Sequence, residues 1–143
     1  AAIAYRGRDH ASLREMVRRT VFNLFVGNGD AHLKNWSLIY PDRKIARLSP
    51  AYDLVCTAIY PHQADLGLPF FGTARLSEIS RDHFARLQAG LNVDDNDVLD
   101  VVDKMIERFC QAWAAGAAEG LPTPAATWIE EHREQTRQQL TQT

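Results

Sequence analysis

The chain has 143 residues, of which 45% are hydrophobic and 24% are charged, and its formal net charge is −2. This length suits one domain with a core and is short for two. The near-neutral charge gives no sign of a broad nucleic-acid or membrane-binding surface, and no apolar run of about 18 residues predicts a transmembrane helix.

The first predicted helix follows a polar lead-in over residues 1–10. Ser12 and Glu15 have the spacing of a capping box, in which each side chain would satisfy a backbone donor of the other. Residues 27–29 (Gly-Asn-Gly) tolerate left-handed backbone and are expected to end the helix. Its apolar positions recur at helical spacing: Leu13, Met16, Val17, Val21, Leu24 and Phe25.

A β-hairpin is predicted next, with strands over 36–40 and 45–48 and a Pro-Asp turn between them. An antiparallel return brings the residue before the first strand close to those after the second. Asn35 and Asp53 are therefore expected to lie near each other despite their separation in sequence.

Residues 54–76 contain two prolines and two glycines, and they are expected to form a loop with a short helix near 54–58. Another helix is predicted between Ser80 as N-cap and Gly90 as C-cap. Three of its residues are expected to face inward: Phe84, Leu87 and Leu91.

A longer helix is predicted after Asp97, ending near Gly116 or Gly120, and a last one starts at Thr123-Pro124. That last helix carries few apolar residues and is expected to fray. The acidic run 94–97 is interpreted as a solvated helix start, because a calcium loop would need Gly and Glu where Leu and Met stand. The chain is therefore predicted to be mainly α, with one small hairpin.

The richest motif is NGDAHLKN at residues 28–35, followed by Asp53. Protein kinases use an Asp as catalytic base, then an Asn and a second Asp that hold Mg²⁺ on the nucleotide phosphates. Asp30 would be the base, because a loop just after a buried helix is both rigid and exposed. Asn35 and Asp53 would supply the oxygen ligands that Mg²⁺ prefers.

Each of these residues also has an ordinary interpretation. Asp30 alone suits a solvated Asn-Gly-Asp turn, and Asp53 alone suits a helix N-cap. His32 with Asp30 could be a transition-metal pair, although no third ligand stands at convincing spacing. Lys34 could neutralise charge on a transferring phosphoryl group or could be a surface lysine.

The segments GNGDAHLKNWSL at 27–38 and LSPAYDL at 48–54 resemble the C-terminal lobe of HipA-like serine/threonine kinases. The resemblance runs from about residue 10 to about residue 115, and it implies a kinase-like C-lobe fold. It also implies a cytoplasmic toxin of a bacterial type II toxin–antitoxin system. Such toxins use ATP and Mg²⁺ to phosphorylate a protein hydroxyl, in known cases on aminoacyl-tRNA synthetases, and they pair with a small DNA-binding antitoxin.

By this resemblance Asp30 corresponds to the catalytic base, and Asn35 and Asp53 correspond to the metal-binding residues. His32 and Lys34 fall inside the catalytic loop, where Lys34 is also a candidate for binding nucleotide. Family members carry a further N-terminal lobe with a phosphate-covering loop, for which residues 1–143 offer no candidate. The chain, which begins with Ala, is therefore expected to be a single C-terminal lobe that is slow or inactive without that lobe in cis or in trans.

Two other functions stay open at this stage. One is a non-enzymatic helical module that binds an antitoxin or another protein. The other is a metal-dependent hydrolase that uses Asp30, His32 and Asp53. Cys56 and Cys110 have no metal-ligand spacing, and they are interpreted as buried small hydrophobes in a reducing cytoplasm.

Overall fold

Four α-helices carry most of the regular structure in the computed structural model, which describes residues 9–61, 65–91 and 97–142. Short 3₁₀ turns lie at Leu33–Asn35, Leu76–Glu78 and Ala117–Gly120. The mainly α prediction is confirmed. The helices are α1 (His10–Val26), α2 (Arg81–Leu91), α3 (Asp97–Ala114) and α4 (Thr123–Thr141).

Helix α1 begins three residues earlier than a Ser12 cap would require. Asp9 is the N-cap, and its carboxylate accepts the backbone N–H of Ser12 at 3.0 Å. The predicted capping box is therefore wrong: Asp9 takes the donor, and Glu15 instead pairs with Arg18 and Arg19. The hydroxyl of Ser12 also donates to this carboxylate. The two hydrogen bonds from Ser12 hold the pKa of the Asp9 carboxyl below its ordinary value of 3.8.

The end of α1 is the expected glycine turn, because Gly27 has φ +67°. The turn is tightly covered: a Cβ on Gly27 would lie 2.6 Å from the indole of Trp128 on α4 and 2.8 Å from Ala58. Helix α4 therefore packs against the point where the motif loop leaves α1.

The core lies between α1 and the other three helices. The predicted stripe of α1 is confirmed, since Val21 and Phe25 are fully buried and Met16 packs against the core. Phe25 stacks on Phe109 of α3 with ring centroids 4.3 Å apart. Burying such side chains contributes about 1.5–3 kcal/mol each. Residues from the other helices complete the core: Phe84, Leu87, Leu91, Val98, Val102, Ile106, Ile129 and Leu140.

Two antiparallel hairpins lie between α1 and α2. The predicted hairpin forms in a shorter version, with β1 (Leu38–Ile39) pairing with β2 (Arg47–Leu48). In the turn, the carboxylate of Asp42 accepts two backbone N–H groups, which lower its pKa.

The segment after Asp53 differs from its prediction. No helix forms at 54–58, because the N–H groups of Thr57 and Ala58 both donate to the carbonyl of Gly27 rather than to a preceding turn. Further on, β3 (Asp65–Phe70) and β4 (Thr73–Arg75) form a second hairpin where a loop was expected.

The last two helices follow their predictions more closely than α2 does. Helix α2 continues through Gly90 to Leu91, so Gly90 is not its cap. Helix α3 starts at Asp97 and ends before Gly116, which has φ +95°. The predicted acidic run at 94–96 and most of the polar lead-in lie outside the described residues.

Helix α4 does not fray early and reaches Thr141. Ion pairs one turn apart reinforce its exposed face, such as Arg137 with Glu134 at 2.6 Å. The Arg137 guanidinium lowers the pKa of Glu134 to about 2. Buried Ile129 and Leu140 anchor the opposite face.

Both cysteines are free thiols and are half-buried rather than buried. Partial burial raises the pKa of the Cys56 thiol. Within the described ranges, none of the helices is long and apolar enough to span a membrane.

Candidate active site

The motif loop is held on both sides by backbone contacts. On one side, the N–H of Gly29 donates to the hydroxyl of Thr57 at 2.8 Å. On the other, the N–H of Gly67 in β3 donates to the carbonyl of Gly29 at 2.6 Å. A Cβ on Gly67 would lie 3.0 Å from the Cβ of His32, so the second hairpin packs closely against this loop.

Asn35 and Asp53 meet at the end of the first hairpin. Nδ2 of Asn35 donates to Oδ2 of Asp53 at 2.9 Å and to the carbonyl of Asp30 at 3.0 Å. Asp53 lies in left-handed backbone with φ +56°, which is uncommon for a residue other than Gly. The structure thus brings together the two side chains that the hairpin was expected to join. Their role in metal binding remains a prediction.

Asp30 and His32 lie beside this pair on the same loop. The carboxylate of Asp30 is 57% exposed, and its Oδ1 lies 3.8 Å from Nε2 of His32. Nδ1 of His32 is buried without a protein hydrogen-bond partner. Asp30 is joined to Asn35 through its backbone carbonyl, which leaves its carboxylate open to solvent.

Lys34 is exposed, and it joins the site through its backbone carbonyl. The hydroxyl of Tyr52 donates to the carbonyl of Lys34 at 2.7 Å and lies 2.6 Å from Oγ of Ser37. Tyr52 therefore ties the segment before Asp53 to the motif loop. Sequence reasoning missed this role, although Tyr52 stands next to Asp53.

Buried polar residues behind the site were also missed. Asn28 is 1% exposed, and its Nδ2 donates to Oδ1 of Asn23 at 3.1 Å and to the carbonyl of Asp53 at 3.3 Å. Arg19, which is 6% exposed, donates to the carbonyl of Ser49 and to Glu15. The position of Asn28 inside the motif could have indicated its role in the site, whereas nothing in the sequence indicates that Arg19 is buried.

The donor set suits a nucleotide-bound magnesium ion better than a metal held by protein alone. Asn35 and Asp53 offer amide and carboxylate oxygens, and Mg²⁺ usually takes one or two carboxylates together with phosphate oxygens and water. Across the part of the chain that the structure describes, no three His, Cys, Asp or Glu side chains could hold a metal ion. The hydrolase hypothesis through Asp30, His32 and Asp53 therefore gains no support.

A mostly apolar groove of about 440 Å³ opens beside Asn35 and Asp53. It runs between α1 and the two hairpins, and Ala31 and Trp36 line both the groove and the small cavity next to Asn35 and Asp53. Leu33, on the rim of the groove, is 70% exposed. An apolar groove that is rimmed by polar residues is typical of a surface that another segment covers.

A protein-family model described as the HipA-like C-terminal domain matches residues 1–113. "Putative kinase Y4dM" of Sinorhizobium fredii is 41% identical over 134 residues, an alignment that covers 87% of this chain and 32% of the relative. A "Putative kinase" of Haemophilus influenzae is 43% identical over 51 residues, covering 36% of this chain and 15% of that protein.

Among solved structures, the chain is similar to HipA in a toxin–antitoxin complex of HipA, HipB and operator DNA from Shewanella oneidensis MR-1. The TM-score is 0.67 at 25% identity, and the match covers 90% of this chain and 31% of that one. The chain thus spans about a third or less of the length of the relatives that it matches.

Proposed function

Because the chain belongs to the HipA-like C-terminal domain family, we propose that it is the catalytic lobe of a serine/threonine protein kinase. It would transfer the γ-phosphoryl group of ATP to a protein hydroxyl with Mg²⁺. The observation that carries the proposal is the 2.9 Å contact between Asn35 and Asp53, with Asp30 on the adjoining loop. This is the arrangement that phosphoryl transfer needs, since its catalysis is mostly positioning and charge stabilisation.

Each site residue has a part in this reaction. The substrate hydroxyl oxygen forms a bond to the γ-phosphorus, its proton passes to the exposed carboxylate of Asp30, and the bond to the ADP oxygen breaks. Asn35 and Asp53 would hold Mg²⁺, which supplies positive charge against the phosphate oxygens. Lys34 would approach the transferring group, and His32, with Nε2 3.8 Å from Oδ1 of Asp30, would help to place the Asp30 side chain.

The proposed enzyme needs a second lobe. The chain covers 32% of its Sinorhizobium relative, and the apolar groove with exposed Leu33 offers a surface for a further region to pack on. A lobe there would cover the nucleotide from the other side. Without it, half of the phosphate contacts are missing, and we expect the isolated chain to be very slow.

A protein partner is proposed from the solved relative, which is HipA bound to HipB and operator DNA. By that likeness the chain would belong to a toxin whose partner is a small DNA-binding antitoxin. The chain's formal net charge of −2 is consistent with leaving DNA contact to the partner.

Two measurements test the proposal, one of nucleotide binding and one of phosphoryl transfer from labelled ATP. First, binding of Mn²⁺ and a non-hydrolysable ATP analogue to the chain is measured, with Asn35→Ala and Asp53→Asn as variants that should weaken it. Second, phosphoryl transfer is measured for the chain alone and for a fusion to the N-terminal region of the Sinorhizobium relative. Transfer should appear in the fusion and disappear in the fusion that carries Asp53→Asn.

Two results would contradict parts of the proposal. Turnover of roughly 1–100 per second by the chain alone would show that no second lobe is required. If neither binding nor transfer is detected in any combination, the kinase proposal fails, and a helical module that binds other proteins is left. Asp42→Asn, in the exposed turn of the first hairpin, is the matched control and should change neither measurement.

A further inference from the structure

Asn28 is a polar residue that the fold buries almost completely, with 1% of its surface exposed. Its backbone N–H already serves the helix end, because it donates to the carbonyl of Asn23 at 2.9 Å. The side chain is not needed for that cap. Burying an amide is costly unless it is hydrogen-bonded, so its side-chain contacts call for a separate explanation.

Those contacts lead to Asp53. The single nitrogen Nδ2 bridges Oδ1 of Asn23, 3.1 Å away, and the backbone carbonyl of Asp53, 3.3 Å away. Asn23 is itself 4% exposed and lies in the rigid last turns of α1. The amide of Asn28 therefore links a fixed helix to a residue 25 positions later in the chain.

Asp53 needs such a link because its backbone is in an unfavourable conformation. A φ of +56° is unfavourable for a residue with a Cβ, and it persists only where neighbouring contacts enforce it. Asn28 holds the carbonyl of Asp53 from behind, while Asn35 contacts its carboxylate from the front at 2.9 Å. Together the two amides determine where the carboxylate points.

We propose that Asn28 is a positioning residue, whose buried amide maintains the left-handed turn at Asp53 and thereby aims the Asp53 carboxylate at Asn35. The effect of Asn28 on the reaction rests on the proposed kinase function. Its effect on the conformation of Asp53 is independent of that function, because it concerns only the backbone of Asp53. Asn28 touches neither nucleotide nor substrate in this scheme and acts entirely through Asp53.

The experiment compares the chain with its Asn28→Ala variant and uses two readouts. The first is the one-bond NMR coupling constant between Cα and Hα of Asp53, together with its carbon shifts, which distinguish positive from negative φ. The second is the dissociation constant of Mn²⁺ with a non-hydrolysable ATP analogue, measured by electron paramagnetic resonance. Asn28→Ala should abolish the left-handed signature and weaken Mn²⁺ binding about 10–100-fold, the usual cost of losing a group that orients a metal ligand.

Val102→Ala is the control for a merely structural effect. Val102 is fully buried on α3 and makes none of the contacts described for the site, so its truncation lowers the unfolding midpoint without touching Asp53. Both readouts should stay at the wild-type value in that variant. If Asn28→Ala does not fold, Asn28→Ser replaces it, because a serine hydroxyl is too short to reach both Asn23 and Asp53.

The outcomes separate the two proposals. An unchanged Asp53 coupling constant in a folded Asn28 variant overturns the positioning role, whether or not the dissociation constant of Mn²⁺ changes. A lost left-handed signature without any change in Mn²⁺ affinity also overturns it, because the turn would then not matter for the ligand. If neither the wild-type chain nor its fusion to a second lobe binds Mn²⁺–nucleotide, the kinase proposal fails, and the coupling constant alone decides whether Asn28 holds Asp53.

Discussion

At the scale of single residues, the site depends on a few short polar contacts between segments far apart in sequence. Asn35 reaches Asp53 across 18 positions and Asn28 reaches the same residue across 25. Side-chain amides suit this work because each offers two donors and an acceptor without a charge to desolvate. Asp30, by contrast, keeps its carboxylate 57% exposed, as a proton acceptor for an incoming hydroxyl must.

Replacing Asp30 by Asn tests its role as base. In the fusion described above, Asp30→Asn should lower kcat by about 100–10,000-fold, the usual contribution of general base catalysis, because the amide cannot accept the hydroxyl proton. Affinity for the ATP analogue should change little, since Asp30 is not one of the proposed metal ligands. A kcat within twofold of wild type in a steady-state assay would show that another group accepts the proton.

Gly27 is the residue whose replacement should cost most stability. Gly27→Ala should lower the free energy of unfolding by about 2–4 kcal/mol, from the left-handed penalty plus the overlap with Trp128. Gly90→Ala is the matched control, because a Cβ there meets nothing within 4 Å and the site is helical. That change should stabilise by about 0.5–1 kcal/mol. Denaturant titration measures both, and equal effects would contradict the prediction.

At the scale of elements, the two hairpins and α1 divide the task of building the site. The first hairpin returns the chain so that Asp53 meets Asn35. The second hairpin, which the sequence pattern did not reveal, braces the motif loop through Gly67. Helix α1 carries Asn23 and ends at the turn from which the loop leaves, so the position of its C-terminal end affects the site.

The start of α1 should make stability depend on pH through Asp9. Asp9→Ala should cost about 1 kcal/mol at neutral pH, because the helix loses its N-cap. The pKa of Asp9 is lowered in the folded state, so this contribution is complete above its ordinary value of 3.8 and is lost as the pH falls through the lower folded value.

The unfolding free energies of wild type and Asp9→Ala should therefore converge below pH 3.8. Asp9→Asn is the control, since Asn caps helices about as well as Asp and does not titrate. A gap between wild type and Asp9→Ala that stays constant on acidification would contradict the assignment of Asp9 as a charged cap.

The second hairpin can be tested at Gly67. A Cβ there would lie 3.0 Å from His32 and 3.4 Å from the carbonyl of Gly29, so Gly67→Ala should displace the motif loop. We expect a loss of about 1 kcal/mol in stability and a several-fold fall in phosphoryl transfer. Gly72→Ala in the same hairpin should cost about as much stability through its φ of +85° while leaving transfer unchanged. Equal transfer rates in the two variants would contradict a bracing role for the hairpin.

At the scale of the whole molecule, one ion pair joins the three C-terminal helices. Arg81 at the start of α2 makes two hydrogen bonds to Asp103 of α3, at 2.5 and 3.0 Å, and a third at 3.2 Å to the carbonyl of Leu140 on α4. The Asp103 carboxylate raises the pKa of Arg81. The Arg81 side chain is only 19% exposed, whereas that of Asp103 is 48% exposed, so water reaches the carboxylate side of this pair.

Removing this connection should weaken the helical assembly as a whole. Arg81→Met should destabilise by about 2 kcal/mol, the range for hydrogen bonds to charged groups. Arg137→Met, which breaks an exposed pair within α4, should lower the melting temperature much less than Arg81→Met does. Thermal unfolding at matched pH compares them, and a smaller effect at Arg81 than at Arg137 would contradict the prediction.

Much of this fold could be predicted from the sequence, because three long segments repeat their apolar residues with helical period, Thr123-Pro124 marks the start of a fourth, and Gly27 and Gly116 end two of the helices. The first hairpin was predictable from its Pro-Asp turn. The second was not, because Gly67 and Pro69 inside a strand are poor strand signals, and its place depends on packing against Gly29 and Phe84. Asp9 was missed because Ser12 and Glu15 imitate a capping box one turn later. The Asn28 network was missed because burial of a polar side chain depends on contacts that no local pattern records.

The indole of Trp128 over Gly27 also limits how this chain can be recombined with its relatives. The family match ends at residue 113, before the helix that supplies the indole, although the glycine turn beneath it lies within the match. A crossover placed between residue 113 and α4 would combine α4 from one parent with a glycine turn from the other, and the residue at position 128 would then not match that turn. Chimeras should therefore inherit positions 27, 58 and 128 from the same parent, even though two of them precede the crossover and one follows it.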